Sequence, residues 1–228
     1  MSDVLQISIF PNPVLRQQAI PVTLEQIKTP LMRETAAAMI RSMYHHHGVG
    51  LAAEQVGCPH AIVVMDAEYP YTGKKAPRVF YNPKIVEADP ETIQLDYPGE
   101  GCLSLPYGYH QPVKRWENVR VEWMDARGRA QDKWFTGFDA IVIQHEIDHL
   151  DGRLFVDHLS PLKQKMFIAK VKKAHRQYWK GVKRGNNAIQ HAHRTPAFNL
   201  ARAKKYEEHL REKKNANHGS APCANLEG

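Results

Sequence analysis

The segment His145-Glu146-Ile147-Asp148-His149 places two imidazoles four residues apart, with a carboxylate directly after the first. On a helix, residues i and i+4 lie one turn apart on the same face, so both rings can reach one divalent ion. Glu146 is rotated by about 100° from His145, and can take a proton from a water molecule beside that ion. Two surface histidines on an amphipathic helix are the alternative. The apolar run Ile141-Val142-Ile143 favours a buried helix, and buried histidines need partners.

A hydrolytic metal site needs at least one more protein ligand and an open position for water. In zinc proteases the third ligand is a downstream Glu, or a His in the pattern HExxHxxGxxH. Gly152 fits that pattern, but Phe155 occupies the third His position and His158 falls three residues late. No Glu lies between Glu146 and Glu207. The third ligand is therefore expected upstream.

Two further blocks lie upstream, GVGLAAEQVG at residues 48–57 and EGCLS at residues 100–104. With HEIDHLDG at residues 145–152, they resemble the three motifs of peptide deformylases in order and in approximate spacing. The resemblance spans about residues 5–160. It implies a metal-dependent hydrolase that removes the formyl group from the N-terminal methionine of newly made proteins and releases formate.

The same resemblance implies that Cys102, His145 and His149 bind one divalent metal ion, with water in the fourth tetrahedral position. Considered alone, Cys102 could equally be a small buried hydrophobic residue. Cysteine with two histidines suits zinc or ferrous iron. The resemblance implies Fe2+, with Zn2+ or Ni2+ as alternatives.

The catalytic roles also follow from the resemblance. Glu146 accepts a proton from the attacking water and delivers it to the leaving amine. The side-chain amide of Gln55 and the backbone N–H of Leu103 stabilise negative charge on the formyl oxygen, and the backbone of Gly50 helps to align the peptide. Without the motif, Gln55 would be interpreted as an ordinary surface amide.

An apolar pocket for methionine is expected beside these groups. Phe138, Ile141 and Val142 lie seven, four and three residues before His145 and can share its helix face, and Val49 precedes Gly50. Plain core packing is the alternative for each of these four residues.

Three features depart from the family pattern or fall outside it. Glu54 precedes Gln55 where the family has a small, apolar or uncharged residue, and it could point to solvent or alter the entrance. Residues 106–112 lack the basic residue sometimes found after the cysteine motif. The run from His45 to His47 could be a second metal site, but three adjacent side chains cannot all converge on one ion from regular structure, so a polar loop is predicted.

The elements that must position these groups are of mixed type. Helical patterns occur at residues 24–43, 139–150 and 162–180, with Pro30 inside the first and Asp139 as the N-cap of the second. Short β-rich runs occur at residues 61–65, 78–81, 84–87, 119–124 and 133–138. The glycines of residues 48–50 predict a loop that approaches another group closely. We expect an α+β fold with small, mainly antiparallel sheets packed around the metal-binding helix.

Charge divides the chain after Ser160. Residues 1–160 hold 15 Lys and Arg against 20 Asp and Glu, whereas residues 161–228 hold 16 against 4. We therefore predict a catalytic domain at residues 1–160 and a basic C-terminal extension at residues 161–228, partly helical and partly disordered. The extension could bind ribosomal RNA near the site where nascent chains emerge, or only solubilise the protein.

The sequence shows neither a secretory signal nor a membrane-spanning run, and its three scattered cysteines form no disulfide framework. A cytoplasmic enzyme is therefore expected, with formylated nascent peptides as its partners and no membrane contact. Two rival functions remain open. A zinc endopeptidase would share the two-histidine motif but lacks its downstream ligand here. A non-catalytic RNA-binding protein would fit the basic extension but would not need Cys102, Glu146 and Gln55.

Overall fold

The computed structural model describes residues 4–89, 91–94, 99–105 and 109–183. Antiparallel strands lie at the centre of the fold. The strands within these residues are β1 Gly50–Ala52, β2 Ile62–Met65, β3 Arg78–Ala88, β4 Thr92–Gln94, β5 Lys114–Trp116, β6 Asn118–Met124 and β7 Ala130–Thr136. Five of them form one sheet in the order β1-β2-β3-β6-β7, and β4 pairs with β5 in a second, two-stranded sheet. The helices are α1 Leu24–Ile27, α2 Pro30–His45, α3 Tyr69–Thr72, α4 Gly137–Leu150 and α5 Pro161–Lys183.

Alternation along the strands explains why helices cover both faces of the large sheet. Successive residues of a strand point to opposite faces, so Val63 and Met65 of β2 pack with α4 while Ile62 and Val64 pack with α2. All four side chains have no exposed surface. The helix with the two predicted histidine ligands therefore lies against one face of the sheet, and the predicted α+β class is confirmed.

The helix predicted at residues 24–43 is two helices. Thr29 caps the second one, since its side chain accepts the backbone N–H of Met32, and Pro30 occupies the first turn of α2. Proline lacks an N–H, which the first turn does not need. The prediction of an internal proline was therefore wrong, and Pro30 instead marks a helix start.

The metal-binding helix begins earlier than predicted. Thr136 is the N-cap of α4 and Asp139 lies in its first turn, where a carboxylate is favourable beside the helix dipole. Asp139 also accepts a hydrogen bond from Arg78 on β3 at 2.8 Å. The predicted N-cap was wrong by one turn, but the predicted end at Leu150 is correct.

The C-terminal helix packs its first half on the catalytic part of the chain. Phe167 and Val171 of α5 are buried in an apolar cluster that also contains Cys102, Phe155 and Leu154. Lys165, Met166, Lys172 and Lys173 of the same helix are exposed. Among the described residues, no helix combines the length and apolarity needed to cross a membrane. The predictions for residues 184–228 lie outside the described part of the chain.

Candidate active site

The three predicted metal ligands come together from two separate segments. The Sγ of Cys102 and one ring nitrogen each of His145 and His149 all lie within 4.8 Å of one another. The Sγ of Cys102 is 3.3 Å from Nε2 of His149. Within the described ranges this is the one group of three or more His, Cys, Asp or Glu side chains arranged to hold an ion. The run from His45 to His47 is not such a group.

The donor atoms suit a divalent ion. Nδ1 of His145 is hydrogen-bonded to Oε2 of Glu100 at 2.8 Å, which leaves its Nε2 to face the cluster. Burial lowers the pKa of His149, which favours the neutral ring that binds metals. One sulfur and two imidazole nitrogens form a donor set typical of tetrahedral sites that keep a fourth position for water. The residues present therefore fit one metal ion.

A buried arginine organises the carboxylates behind the ligands. Arg115 donates from Nε and Nη2 to the two oxygens of Glu100, at 2.6 and 2.9 Å, and from Nη1 to Asp148 at 2.6 Å. Burial acts to raise the pKa of Glu100, but Arg115 and His145 lower it to about 2. Glu100 is thus an anion that can hold the His145 ring by its Nδ1.

This network was not predicted from the sequence. Glu100 and Asp148 lie inside two of the three motifs but were assigned no role, and Arg115 lies outside all three motifs. Asp148 is also within 2.6 Å of Nε2 of His158, the histidine considered and set aside as a ligand. The available signal was the position of Glu100 and Asp148 next to the predicted ligands in the chain.

Glu146 and Gly50 lie in direct contact. Glu146 is 4% exposed, and a Cβ added to Gly50 would lie 2.8 Å from its carboxyl carbon. The prediction that the glycine loop approaches another group closely is confirmed, although Gly50 itself begins β1. Oε2 of Glu146 has no hydrogen-bond partner in the described part of the chain, and burial raises its pKa to about 7. A carboxyl group with such a pKa can both accept and return a proton near neutral pH.

The predicted oxyanion donors also lie next to the ligand cluster. The amide nitrogen of Gln55 is 3.6 Å from Cys102 Sγ and 3.1 Å from Ser104 Oγ. Its amide oxygen accepts the backbone N–H of Ala52 at 2.9 Å. The bond to Ala52 fixes the orientation of the Gln55 amide, so that its NH2 group points toward Cys102. Leu103 follows Cys102 directly, and its side chain packs against Gly48.

Three of the four predicted pocket residues lie in or against one apolar cluster. Val142 is 5% exposed in the apolar cluster between the sheet and α4, and Val49 and Phe138 pack against that cluster. Ile141 is buried at 2% exposure, but does not belong to the cluster. The arrangement is compatible with both a pocket and core packing, so the pocket stays a prediction.

Glu54 does not point to solvent. It is 1% exposed on the short 3-10 helix Ala53–Val56, and neither of its carboxylate oxygens has a hydrogen-bond partner among the described residues. Burial raises its pKa to about 8, and the charges of Glu146 and Asp151 act in the same direction. Of the two alternatives left open by the sequence, the harmless surface position is excluded.

Helix α5 places a lysine beside Tyr109, which belongs to the segment of residues 106–112 that lacks a basic residue after the cysteine motif. The Nζ of Lys170 lies 4.4 Å from the centre of the Tyr109 ring, a distance typical of a cation–π contact. Tyr109 also packs edge-on against Phe167 of α5, with ring centres 6.0 Å apart. The helix therefore covers part of the chain between the cysteine motif and β5.

Comparison with known proteins agrees with this geometry. The family model of polypeptide deformylases matches residues 4–165. The chain belongs to this family. Peptide deformylase of Pseudomonas aeruginosa is 42% identical over 174 residues, which cover 76% of this chain and 98% of the relative. Peptide deformylase 2 of Xanthomonas campestris is 41% identical over 169 residues, which cover 74% and 95%.

Solved deformylase structures share the fold. The enzyme from Legionella pneumophila superposes with a TM-score of 0.67 at 37% identity, over 77% of this chain and 97% of that one. A class I type b deformylase from Acinetobacter baumannii, bound to Met-Ala-Ser, gives a TM-score of 0.63 at 32% identity, over 70% and 100%. The chain is thus a metal-dependent hydrolase that removes N-formyl groups, as the sequence predicted.

Proposed function

We propose that Cys102, His145 and His149 hold one Fe2+ ion, and that the residues around it hydrolyse the formyl amide of formyl-methionine at the start of nascent polypeptides. The closeness of the three donor atoms, all within 4.8 Å, carries this proposal. When bound, such an ion supplies Lewis acidity, which activates water and polarises a carbonyl oxygen.

The side chains supply proton transfer and charge stabilisation. Glu146 takes a proton from the attacking water as the new C–O bond forms at the formyl carbon. It then gives this proton to the amine nitrogen as the C–N bond breaks, so the products are formate and a free N-terminus. The unpartnered Oε2 of Glu146 is available for this exchange.

Two N–H donors would stabilise the oxygen that becomes negative. The Gln55 amide is held by its bonds to Ala52 and Ser104 and therefore needs little reorganisation during the reaction. The backbone N–H of Leu103 is the second donor. The backbone of Gly50 aligns the peptide beside Glu146, where no Cβ could fit.

The methionine side chain would occupy the apolar surroundings of Val49, Phe138, Ile141 and Val142. The A. baumannii structure with Met-Ala-Ser shows that a relative binds a peptide that begins with methionine. Ile141→Asp would place a charge in this apolar site and should cripple turnover of formyl-Met peptides. Unchanged kinetics would remove Ile141 from the pocket.

The reaction is tested by formate release from formyl-Met-Ala-Ser with iron- or nickel-loaded protein. Glu146→Gln keeps the side-chain shape but cannot accept the proton, so release should fall by about 10²-fold or more. Glu34→Gln, at an exposed position of α2, is the matched control and should keep full activity. No release by the wild-type protein with metal bound would exclude formyl-methionine as substrate.

The identity of the metal is tested separately. Anaerobic purification followed by elemental analysis should find about one iron per chain, and exposure to air should reduce activity because a thiolate-bound ferrous centre is sensitive to oxygen. Zinc at full occupancy with full activity would overturn the iron assignment.

The basic extension at residues 161–228, whose helix α5 packs on the catalytic domain at residues 1–160 through Phe167 and Val171, is proposed to contact ribosomal RNA. The exposed side chains of α5 include Lys163, Lys165, Lys172 and Lys173, and positive charge of this kind attracts phosphate. Such a contact would place the enzyme in the cytoplasm, beside emerging chains.

Charge reversal tests this contact without removing Phe167 and Val171 from the core, as truncation after Ser160 would. Changing the four α5 lysines to Glu should abolish salt-sensitive co-sedimentation with ribosomes. The matched control makes the same change at four exposed lysines of the catalytic part, Lys28, Lys84, Lys114 and Lys133. Equal loss in both would indicate non-specific attraction. If the charge-reversed protein and a chain truncated after Lys183 both bind ribosomes as the wild type does, the extension would have only a solubilising role.

A further inference from the structure

The loop between β2 and β3, residues 66–77, is tied to one buried carboxylate. Asp66 is 2% exposed and accepts hydrogen bonds from the Tyr44 hydroxyl and from the backbone N–H groups of Tyr69 and Ala76, the latter two at 3.2 and 2.7 Å. Bonds to residues near both ends of the loop hold it in one conformation. The short helix α3, which carries Tyr69 and Tyr71, is therefore presented in a defined orientation.

This loop touches two of the four residues proposed to bind methionine. The backbone N–H of Asp66 donates to the carbonyl oxygen of Val49 at 2.8 Å. The ring of Tyr71 meets the ring of Phe138 with centres 6.1 Å apart and planes at 83°, an edge-to-face geometry that aromatic pairs prefer. The loop thus contacts the proposed pocket at its β1 side and at its α4 side.

Among the proposed pocket residues on α4, Phe138 lies farthest from His145 along the helix. It precedes His145 by seven residues on α4, which corresponds to about 10 Å along the axis at roughly 1.5 Å per residue. Ile141 and Val142 lie between them, about one turn from His145. A side chain that enters beside the ligands and extends along α4 therefore meets Phe138 last.

We infer that Tyr71 is a specificity-determining residue, which holds Phe138 in place and thereby limits the length of the substrate's N-terminal apolar side chain. The inference rests on the proposed pocket and adds a residue from outside it. The sequence offered no indication of this role, because Tyr71 lies 67 positions before Phe138 in the chain and only the fold places the two rings together.

A matched control lies on the same short helix. Tyr69 packs edge-on against Tyr44, with ring centres 5.1 Å apart, and Lys75 lies 4.5 Å above the Tyr44 ring. Tyr69 and Tyr71 are thus two tyrosines of one helix whose rings contact different residues, Tyr44 and Phe138. Loss of the Tyr69 ring should change the loop without removing the contact with Phe138.

The test compares kcat/KM for formyl-X-Ala-Ser peptides in which X is methionine or the longer, unbranched 2-aminooctanoic acid. Tyr71→Ala should raise the ratio of the long to the methionine substrate by about tenfold or more, since each methylene that a pocket rejects is worth at least such a factor. Tyr71→Phe and Tyr69→Ala should keep the wild-type ratio, because the ring of residue 71 makes the contact. Tyr71→Leu should give an intermediate ratio and carries the test if the alanine variant does not fold.

Phe138→Ala separates failure of this inference from failure of the pocket. A changed ratio in Phe138→Ala, with an unchanged ratio in Tyr71→Ala and Tyr71→Leu, would overturn the role of Tyr71 and keep the pocket. Unchanged ratios in all these variants would overturn both. A ratio in Tyr71→Phe equal to that of Tyr71→Ala would assign the effect to the hydroxyl group and contradict the inference.

Discussion

Replacing the buried Glu54 by glutamine should change the free energy of unfolding in favour of the variant as the pH rises. Glu54 is 1% exposed, and its carboxylate oxygens have no hydrogen-bond partner among the described residues. Burial raises its pKa from 4.5 to about 8. The folded protein therefore keeps a proton on Glu54 that the unfolded chain has already released at neutral pH.

The sign follows from proton binding. Below pH 4.5 both states hold the proton, so Glu54 makes no pH-dependent contribution to stability. Between pH 4.5 and 8 the folded state binds more protons than the unfolded state, so the free energy of unfolding falls as pH rises. Since one pKa unit corresponds to about 1.4 kcal/mol, the penalty is roughly 3 kcal/mol at pH 7 and approaches about 5 kcal/mol above pH 8.

The assay is urea unfolding of the wild type and Glu54→Gln at pH 5, 6, 7 and 8, with the same metal concentration for both proteins. The glutamine amide has its own burial cost, but this cost does not depend on pH. The stability difference should therefore move in favour of Glu54→Gln by about 3 kcal/mol between pH 5 and 8.

Glu34→Gln serves as the control, because Glu34 is exposed and its replacement should give no such trend. A difference between the wild type and Glu54→Gln that stays constant from pH 5 to 8 would refute the reasoning. It would mean that the folded protein supplies water or a cation to Glu54.

Three further changes test the packing around the site. Arg115→Ala should destabilise the fold by about 3–5 kcal/mol, because it removes the buried cation that pairs with both Glu100 and Asp148, and it should weaken metal binding in titrations. Gly50→Ala should lower kcat/KM by about 10²-fold, because the new methyl group overlaps and displaces the carboxylate of Glu146, the proposed proton acceptor. Phe167→Ala should cost roughly 3–5 kcal/mol in urea unfolding, because Phe167 is buried at 5% exposure.

Each of these three substitutions has a control variant or a control measurement that isolates the cause of its expected effect. Arg120→Ala removes an arginine that is 38% exposed, and should change stability by less than about 1 kcal/mol. Gly50→Ala should keep the wild-type circular dichroism spectrum, and activity within twofold of wild type would contradict the close approach. Met166→Ala, at 65% exposure beside Phe167, should be nearly neutral. Equal costs for Met166→Ala and Phe167→Ala would contradict the packing of α5.

The sequence by itself determined the chemistry of the centre. Two histidines four residues apart must share a helix face, so His145 and His149 could be paired without a structure, and the order of the three motifs added Cys102 and Gln55. Alternation and turn residues were enough to predict an α+β fold with antiparallel strands. The histidine spacing and the strand alternation are local signals, since each depends on residues close together in the chain, whereas the roles of Cys102 and Gln55 came from the resemblance to peptide deformylases.

Local patterns were also the source of the errors. Pro30 was placed inside a helix because the apolar stripe continues across it, whereas Thr29 caps a second helix there. The two β-rich runs at residues 78–81 and 84–87 form one strand, β3, with a register shift between Tyr81 and Lys84 where Asn82 has a positive φ. The continuation of β3 past Asn82 depends on pairing with β6, which no local pattern records.

Only the tertiary structure decided what surrounds the centre. Arg115 reaches Glu100 and Asp148 from a three-residue strand too short to show a pattern. Glu54 became a buried acid, although charged residues are usually exposed. Tyr71 lies in the loop between β2 and β3, and the fold places its ring against Phe138. In each case the energetic consequence depends on burial and on distant partners, and these exist only when the chain is folded.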